Sequence, residues 1–257
     1  MLEDNHADIL GKACSGLGIS PGRFPGAFLD SPDEAGLRAA AGALGLAAGP
    51  LAAIACGEYL PDAGPVPDGL AMFATPFADM LVNSYVVWDG KSAAAFDTGT
   101  DCDGILDLVR VRGLRLESVF LTHSHGDHIY DLDRLLEKTG AKAWTGEAVA
   151  GAELFAPGRE FSLGSWKIST RLTRGHSSCG ITYVVEGPAR RVAITGDALF
   201  AGSMGGGKVT YADALRTTRD EILSLPPDTL VCPGHGPMTT VGGERLHNPF
   251  FAAQPEV

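Results

Sequence analysis

The densest chemistry in the chain lies at Thr122-His123-Ser124-His125-Gly126-Asp127-His128, where three imidazoles and a carboxylate fall within six residues. In extended backbone alternate side chains share a face, so His123 and His125 point the same way and can pinch one cation. Gly126 lets the chain turn, which aims Asp127 and His128 at a neighbouring point. Imidazole and carboxylate without thiolate suit zinc, iron or manganese. Single ligands recur downstream in Gly175-His176, Gly196-Asp197 and Gly234-His235, each with glycine directly before it. One histidine after a strand is commonly a satisfied polar group. Seven ligand-type residues at four strand ends point instead to a metal centre.

Strands must deliver these loops. Candidate strands are Leu81–Trp88, Ala93–Phe96, Val119–Thr122, Trp166–Leu172, Ile181–Val185, Arg191–Thr195 and Leu230–Cys232. Helical spacing runs through Ile105–Arg112, Asp131–Lys138 and Ala212–Leu223. This is an α/β (α+β) pattern with mixed sheets and helices outside. Residues 1–68 read differently. Ser31-Pro32-Asp33-Glu34 forms a capping box ahead of Leu37, Ala41, Leu44 and Ala48, and a second short helix starts at Pro50 with Leu51 and Ile54 inward. The segment 61–69 is rich in proline and glycine and marks a boundary, giving a helical extension over 1–68 and a catalytic domain over 69–257. Met72, Phe73 and Phe77, just before the first candidate strand, are expected in the core, with the mouth of the pocket as the alternative. His6 and His247 lie off the motif pattern and read as surface residues.

The sequence resembles the metallo-β-lactamase superfamily, whose signature T-H-x-H-x-D-H stands here as Thr122 to His128, followed in order by His176, Asp197 and His235. Phe96-Asp97-Thr98-Gly99 is similar to that superfamily's first motif. The resemblance implies an αββα sandwich, two mixed sheets face to face with helices outside, here with a short helical N-terminal extension. It implies two divalent ions, zinc in the first place with iron or manganese as alternatives. His123, His125 and His176 would hold one ion, Asp127, His128 and His235 the other, and Asp197 would bridge. Asp97 would orient a ligand histidine. Asp127 and His128 also stand as the catalytic candidates, with a water activated between two cations as the nucleophile on a carbonyl.

Within the superfamily, Gly196-Asp197-Ala198-Leu199-Phe200-Ala201-Gly202-Ser203 is similar to the glyoxalase II-like branch, as is Glu244 to Phe250. That branch implies hydrolysis of a thioester or a small ester or lactone. Two departures weigh against glutathione as the leaving group. Ser203-Met204-Gly205-Gly206 replaces Cys-Gly-Arg, and Gly234-His235-Gly236-Pro237 replaces Gly-His-Glu-Tyr. The alternative activity is that of a persulfide dioxygenase, with one iron on His123, His176 and Asp197. Tyr130, Lys208 and Tyr211 fall just beyond ligand motifs and are candidate substrate contacts.

Composition bounds the rest. The chain has 257 residues, 45% of them hydrophobic, with 34 glycines and a formal net charge of −11. That is enough to bury one sizeable core. The negative balance repels phosphate backbones and anionic bilayers, so a small-molecule substrate is expected rather than nucleic acid or a membrane, with a homo-oligomer possible. Residues 1–68 carry three basic side chains against nine acidic ones, which argues against a DNA reader. Five widely spaced cysteines show no C-x-x-C pattern, and the acidic N-terminus lacks a secretory signal. Both features fit reduced thiols in the cytoplasm.

Overall fold

A computed structural model describes residues 1–187 and 189–252. The central strands are buried along nearly their whole length, because both faces of each sheet are covered. The first sheet runs β1 (Leu70–Phe77), β2 (Met80–Asp89), β3 (Ser92–Phe96), β4 (Arg115–Leu121), β5 (Lys142–Thr145) and β6 (Ala152–Leu154) in spatial order. The second runs β7 (Glu160–Leu163), β8 (Trp166–Leu172), β9 (Ile181–Glu186), β10 (Val192–Gly196), β11 (Leu230–Pro233) and β12 (Thr239–Thr240), again in chain order. β3, β4, β5 and β6 are parallel, and so are β10 and β11; the other pairings are antiparallel.

The period of two explains the layers. Tyr85, Val87, Phe96 and Phe120 of the first sheet face Ile168, Tyr183, Val192, Ile194 and Leu230 of the second, forming the central core. Their neighbours point the other way. Val86, Ala95, Val119 and Leu121 meet the outer helices, among them Ile105, Leu132 and Leu135. Val184, Ala193 and Val231 meet Ile222, Leu223 and Val241. Each fully buried aliphatic or aromatic side chain here contributes about 1.5–3 kcal/mol of transfer free energy. The architecture is the αββα sandwich that the resemblance implies.

The helices are α1 (His6–Leu17), α2 (Glu34–Leu44), α3 (Ala48–Ala55), α4 (Asp103–Arg112), α5 (Gly126–Ile129), α6 (Leu132–Thr139), α7 (Tyr211–Thr217) and α8 (Val241–His247). Several expectations need correction. Asp33, not Ser31, caps α2: its carboxylate accepts from the backbone N–H of Ala35 and Gly36. The helix expected to start at Pro50 begins at Ala48. The expected helix over 212–223 is α7 followed by a π turn at Thr218–Ile222. His6 is buried, its Nε2 2.9 Å from the Leu29 carbonyl, while His247 is exposed as expected. Met72 and Phe77 are exposed on β1, at the edge of its sheet, and only Phe73 packs inward.

The first three helices share a core with the sandwich domain rather than only with one another. Ile9, Leu10, Ala13, Leu37, Ala41 and Leu51 cluster with Met204, Tyr211, Ala214 and Phe250. No helix among the described residues is long and apolar enough to cross a membrane.

Candidate metal centre

The ligand-type residues all sit just beyond strand ends on one edge of the sandwich. Asp97 follows β3; Thr122, His123 and His125 follow β4 and lead into α5, which carries Asp127 and His128. His176 lies between β8 and β9, Asp197 directly follows β10, and His235 lies two residues past β11. Parallel pairing of β3 with β4 and of β10 with β11 places these loops at one end of the two sheets.

Two donor groups result. His123 Nε2 and His176 Nε2 each lie 3.0 Å from His125 Nδ1, and His176 Nε2 lies 3.3 Å from Asp197 Oδ2. On the other side, His235 Nε2 is 3.3 Å and His128 Nε2 3.5 Å from Asp127 Oδ2. Asp197 Oδ1 is 3.2 Å from His128 Nε2 and 3.5 Å from His235 Nε2. A tetrahedral ion with ligands at 2.0–2.1 Å sets them about 3.3 Å apart. Both groups therefore have the edge lengths of a metal site, and the carboxylate of Asp197 offers one oxygen to each. His128 Nε2 and Asp197 Oδ1 are buried without a hydrogen-bond partner. Unsatisfied buried polar atoms are costly in a structural core and expected where a cation belongs.

In His123, His128, His176 and His235 the other ring nitrogen is occupied, which turns the free one inward. His128 Nδ1 donates to Asp97 Oδ2 at 2.7 Å. Asp97 also accepts from the Thr122 N–H at 2.7 Å and from the Thr122 hydroxyl at 2.8 Å. That hydroxyl in turn accepts from His123 Nδ1 at 3.0 Å. His176 Nδ1 donates to the Gly206 carbonyl at 2.9 Å, and His235 Nδ1 to the Leu81 carbonyl at 2.7 Å. Asp97 adopts a left-handed backbone (φ 56°), a strain that an aspartate tolerates better than most residues. Glycine before the ligands has a steric reason at Gly234. A Cβ there would stand 2.3 Å from Asp197 Oδ1 and 2.6 Å from His128 Cε1.

Electrostatics divide the two groups. Burial, with the charge of His128 nearby, pushes His123 well below its ordinary value, and burial brings His176 to about 4. Burial also lowers His125. Burial works against the proton on His128 too, but Asp197 and Asp97 outweigh it and raise that histidine well above 6.5. His235 is likewise raised, by its bond to Asp127 and the charge of Asp197, against burial. Burial would raise both carboxyls; the histidines beside them instead hold Asp127 at about 2 and Asp197 well below the ordinary range.

A family model described as the metallo-β-lactamase superfamily matches residues 78–162 and 153–235. The chain belongs to this superfamily. A probable metallo-hydrolase YqgX of Bacillus subtilis (strain 168) is 30% identical over 204 residues, covering 68% of this chain and 95% of the relative. A hydroxyacylglutathione hydrolase GloC of Haemophilus influenzae is 26% identical over 204 residues, with the same shares covered. Among solved structures, ETHE1 from Myxococcus xanthus superposes with a TM-score of 0.61 at 26% identity, over 70% of this chain and 83% of that one.

The superfamily motifs do not contain every supporting residue. Glu147, in the loop after β5, accepts from the Ser124 N–H (3.1 Å), the Ser124 hydroxyl (2.6 Å), the Ser178 hydroxyl (2.9 Å) and the Cys179 N–H (2.8 Å). It thus ties the His123–His125 loop to the His176 loop. Nothing in its spacing marked it in the sequence. Of the three candidate substrate contacts, Lys208 is exposed and lines a cleft of about 370 Å³ with His125 and His176. Tyr130 is 72% exposed and lines neither this cleft nor the larger groove beside Leu81. Tyr211 lies elsewhere: it is buried in the helical core, its ring so close to α1 that a Cβ on Gly16 would stand 2.2 Å from it.

Proposed function

We propose that this superfamily member is a dinuclear metal-dependent hydrolase acting on a thioester or on a small ester or lactone. The observation that carries the reading is the pair of donor groups sharing Asp197. His123, His125 and His176 would hold one ion and Asp127, His128 and His235 the other; zinc is the first expectation, with iron or manganese as alternatives. When bound, two such cations lower the pKa of a water and polarise a carbonyl oxygen. The protein's part is to fix the donors. Asp97 holds His128 directly and His123 through the Thr122 hydroxyl, so both rings present a lone pair to an ion. Asp127 and His128 serve as the catalytic residues, the ionised Asp127 accepting a hydrogen bond from the attacking water. The names of the two curated relatives support hydrolysis, and one of them supports a thioester.

The rest of the reading follows the same lines. The substrate is a small molecule, residues 1–68 act on substrate choice or assembly beside a catalytic domain at 69–257, and a homo-oligomer is compatible with the acidic surface. Neither nucleic acid nor a membrane is a partner, and the cysteines fit a cytoplasmic setting. A second reading, a persulfide dioxygenase with one iron on His123, His176 and Asp197, fits the likeness to ETHE1.

Metal content and turnover decide between them. Elemental analysis of protein purified without added metal should give two ions per chain, and a thioester and lactone panel should find a substrate. Asp197→Ala should then lose metal and about a thousandfold or more in rate, since the ions supply several kcal/mol of transition-state stabilisation. Retained hydrolysis in that variant overturns the proposal. One iron per chain, with oxygen uptake on a persulfide, establishes the second reading instead.

A further inference from the structure

A groove of about 830 Å³ opens beside the second ligand group. One wall is the N-terminal segment, with Met1, Leu2 and Glu3; the other is the β1–β2 hairpin, with Met72, Asp79 and Leu81; Gly236 and Pro237 complete it. The hairpin bears on the metal centre directly, because the Leu81 carbonyl holds His235 and the Asn83 side chain donates to the carbonyls of Pro233 and Gly236. Residues 1–77 lie outside the span that the superfamily model matches.

The N-terminal wall is attached firmly. Lys12 pairs with Asp4, donates to the Met204 carbonyl at 2.9 Å and stands 5.1 Å over the Phe200 ring, which packs against His235. A Cβ on Gly236 would stand 3.2 Å from the Glu3 backbone nitrogen, so the segment lies directly on the His235 loop. Lys12 is the basic residue of α1, and Asp4 neutralises it. Glu3, Asp8 and Asp79 outnumber the α-amino group of Met1 and leave the groove acidic, with methionine and leucine side chains between them. The cleft with His125 and His176 carries instead the cation Lys208. The groove and the cleft therefore differ in the sign of their charged side chains.

We propose that this groove receives an uncharged or cationic, partly apolar portion of the substrate and rejects anionic ones, with Glu3 and Asp79 setting the preference. The proposal rests on the hydrolase reading for its chemistry but not for its binding. Low-dielectric walls focus the field of nearby carboxylates, so a single charge on the ligand is felt strongly. A glutathionyl or other multiply anionic leaving group would be disfavoured there.

Three amides of one shape test this without turnover: N-(2-aminoethyl)hexanamide, N-(2-hydroxyethyl)hexanamide and N-hexanoyl-β-alanine. Their binding to the full-length, metal-loaded protein is measured by ligand-observed NMR. The cationic amide should bind about tenfold more tightly than the anionic one, with the neutral amide between them. In the double variant Glu3→Gln/Asp79→Asn, confirmed to hold the same metal content, that ratio should fall to about twofold. Equal binding of the three amides by the wild type, or an unchanged ratio in the double variant, overturns the proposal. Because the comparison reads binding and none of the probes is a thioester, ester or lactone, failure of the thioester and lactone panel would sink the hydrolase reading and leave this comparison intact.

Discussion

The two ligand groups share a carboxylate and an edge of the sandwich, yet they are built for opposite protonation. His123, His125 and His176 are pushed down by burial and by nearby cationic groups, and the outer nitrogens of His123 and His176 are held by a hydroxyl and a carbonyl. They are neutral imidazoles waiting for a cation. His128 and His235 are raised by Asp97, Asp127 and Asp197 against burial, so in the metal-free protein protons compete for the second ion's place up to higher pH than at the first group. The protons stabilise a buried cluster of carboxylates that would otherwise repel one another. A cation entering the second group must displace them, and binding there is linked to pH.

That difference predicts which ion leaves first. A histidine raised above 6.5 keeps its proton to higher pH, so lowering the pH favours the proton over the cation at His128 and His235. His123 and His176 lie below 6.5 and stay neutral through the same window. Between pH 8 and 5.5 the protein should therefore pass from two ions to one, as read by metal content after equilibrium dialysis. With two protons displaced per ion, affinity should fall up to about a hundredfold per pH unit. In His235→Ala the pH-dependent step should be absent. Parallel loss of both ions would break the comparison.

A smaller perturbation separates the groups by their supports. Asp97→Asn removes the carboxylate that orients His128 and leaves the backbone content, since asparagine also accepts a left-handed conformation. Affinity for the second ion should fall about 10–100-fold, with a lesser loss at the first group, where the contact passes through Thr122. Metal titration with a competing chelator resolves the two steps; equal losses would mean that Asp97 supports both groups alike.

Why were the ligands legible and their supports only partly so? The ligands stand next to strand ends, in short runs where β-branched and apolar residues give way to glycine and histidine, and Asp97 stands in such a run. Every strand with a long apolar alternation was readable as well. The short or edge strands β1, β5, β6, β7 and β12 were not, because two to four residues, or a strand exposed on one face, carry little period. Helix α1 did carry a signal, the reciprocal box of Asn5 and Asp8, but in a stretch whose composition suggested an appendage. Tyr211 was misread because position along the chain says nothing of direction: its ring turns away from the ligand loop and under α1. Glu147 follows a four-residue strand and belongs to no motif; its meaning exists only once two distant loops meet.

Glu147 is also where the comparison yields its mildest test, since it supports the first group without touching an ion. Burial would raise its carboxyl, but the donors from Ser124, Cys179 and Ser178 hold it at about 2, against 4.5 for an unperturbed glutamate. A depressed carboxyl contributes stability that is fully present above 4.5 and is lost as the pH falls toward 2. Glu147→Gln exchanges a four-way acceptor for a group with its own N–H donors. It should cost about 1–3 kcal/mol at pH 7, which is about 2–4 °C of melting temperature for each kcal/mol. Thermal unfolding of metal-free wild type and variant, followed from pH 7 downward, isolates the cause. If the carboxylate acts through its charge, the two curves converge as the wild-type group takes up its proton. A gap that persists to pH 2 would mean that the side chain's packing matters more than its charge, and that the first ligand group is held by its imidazoles and backbone alone.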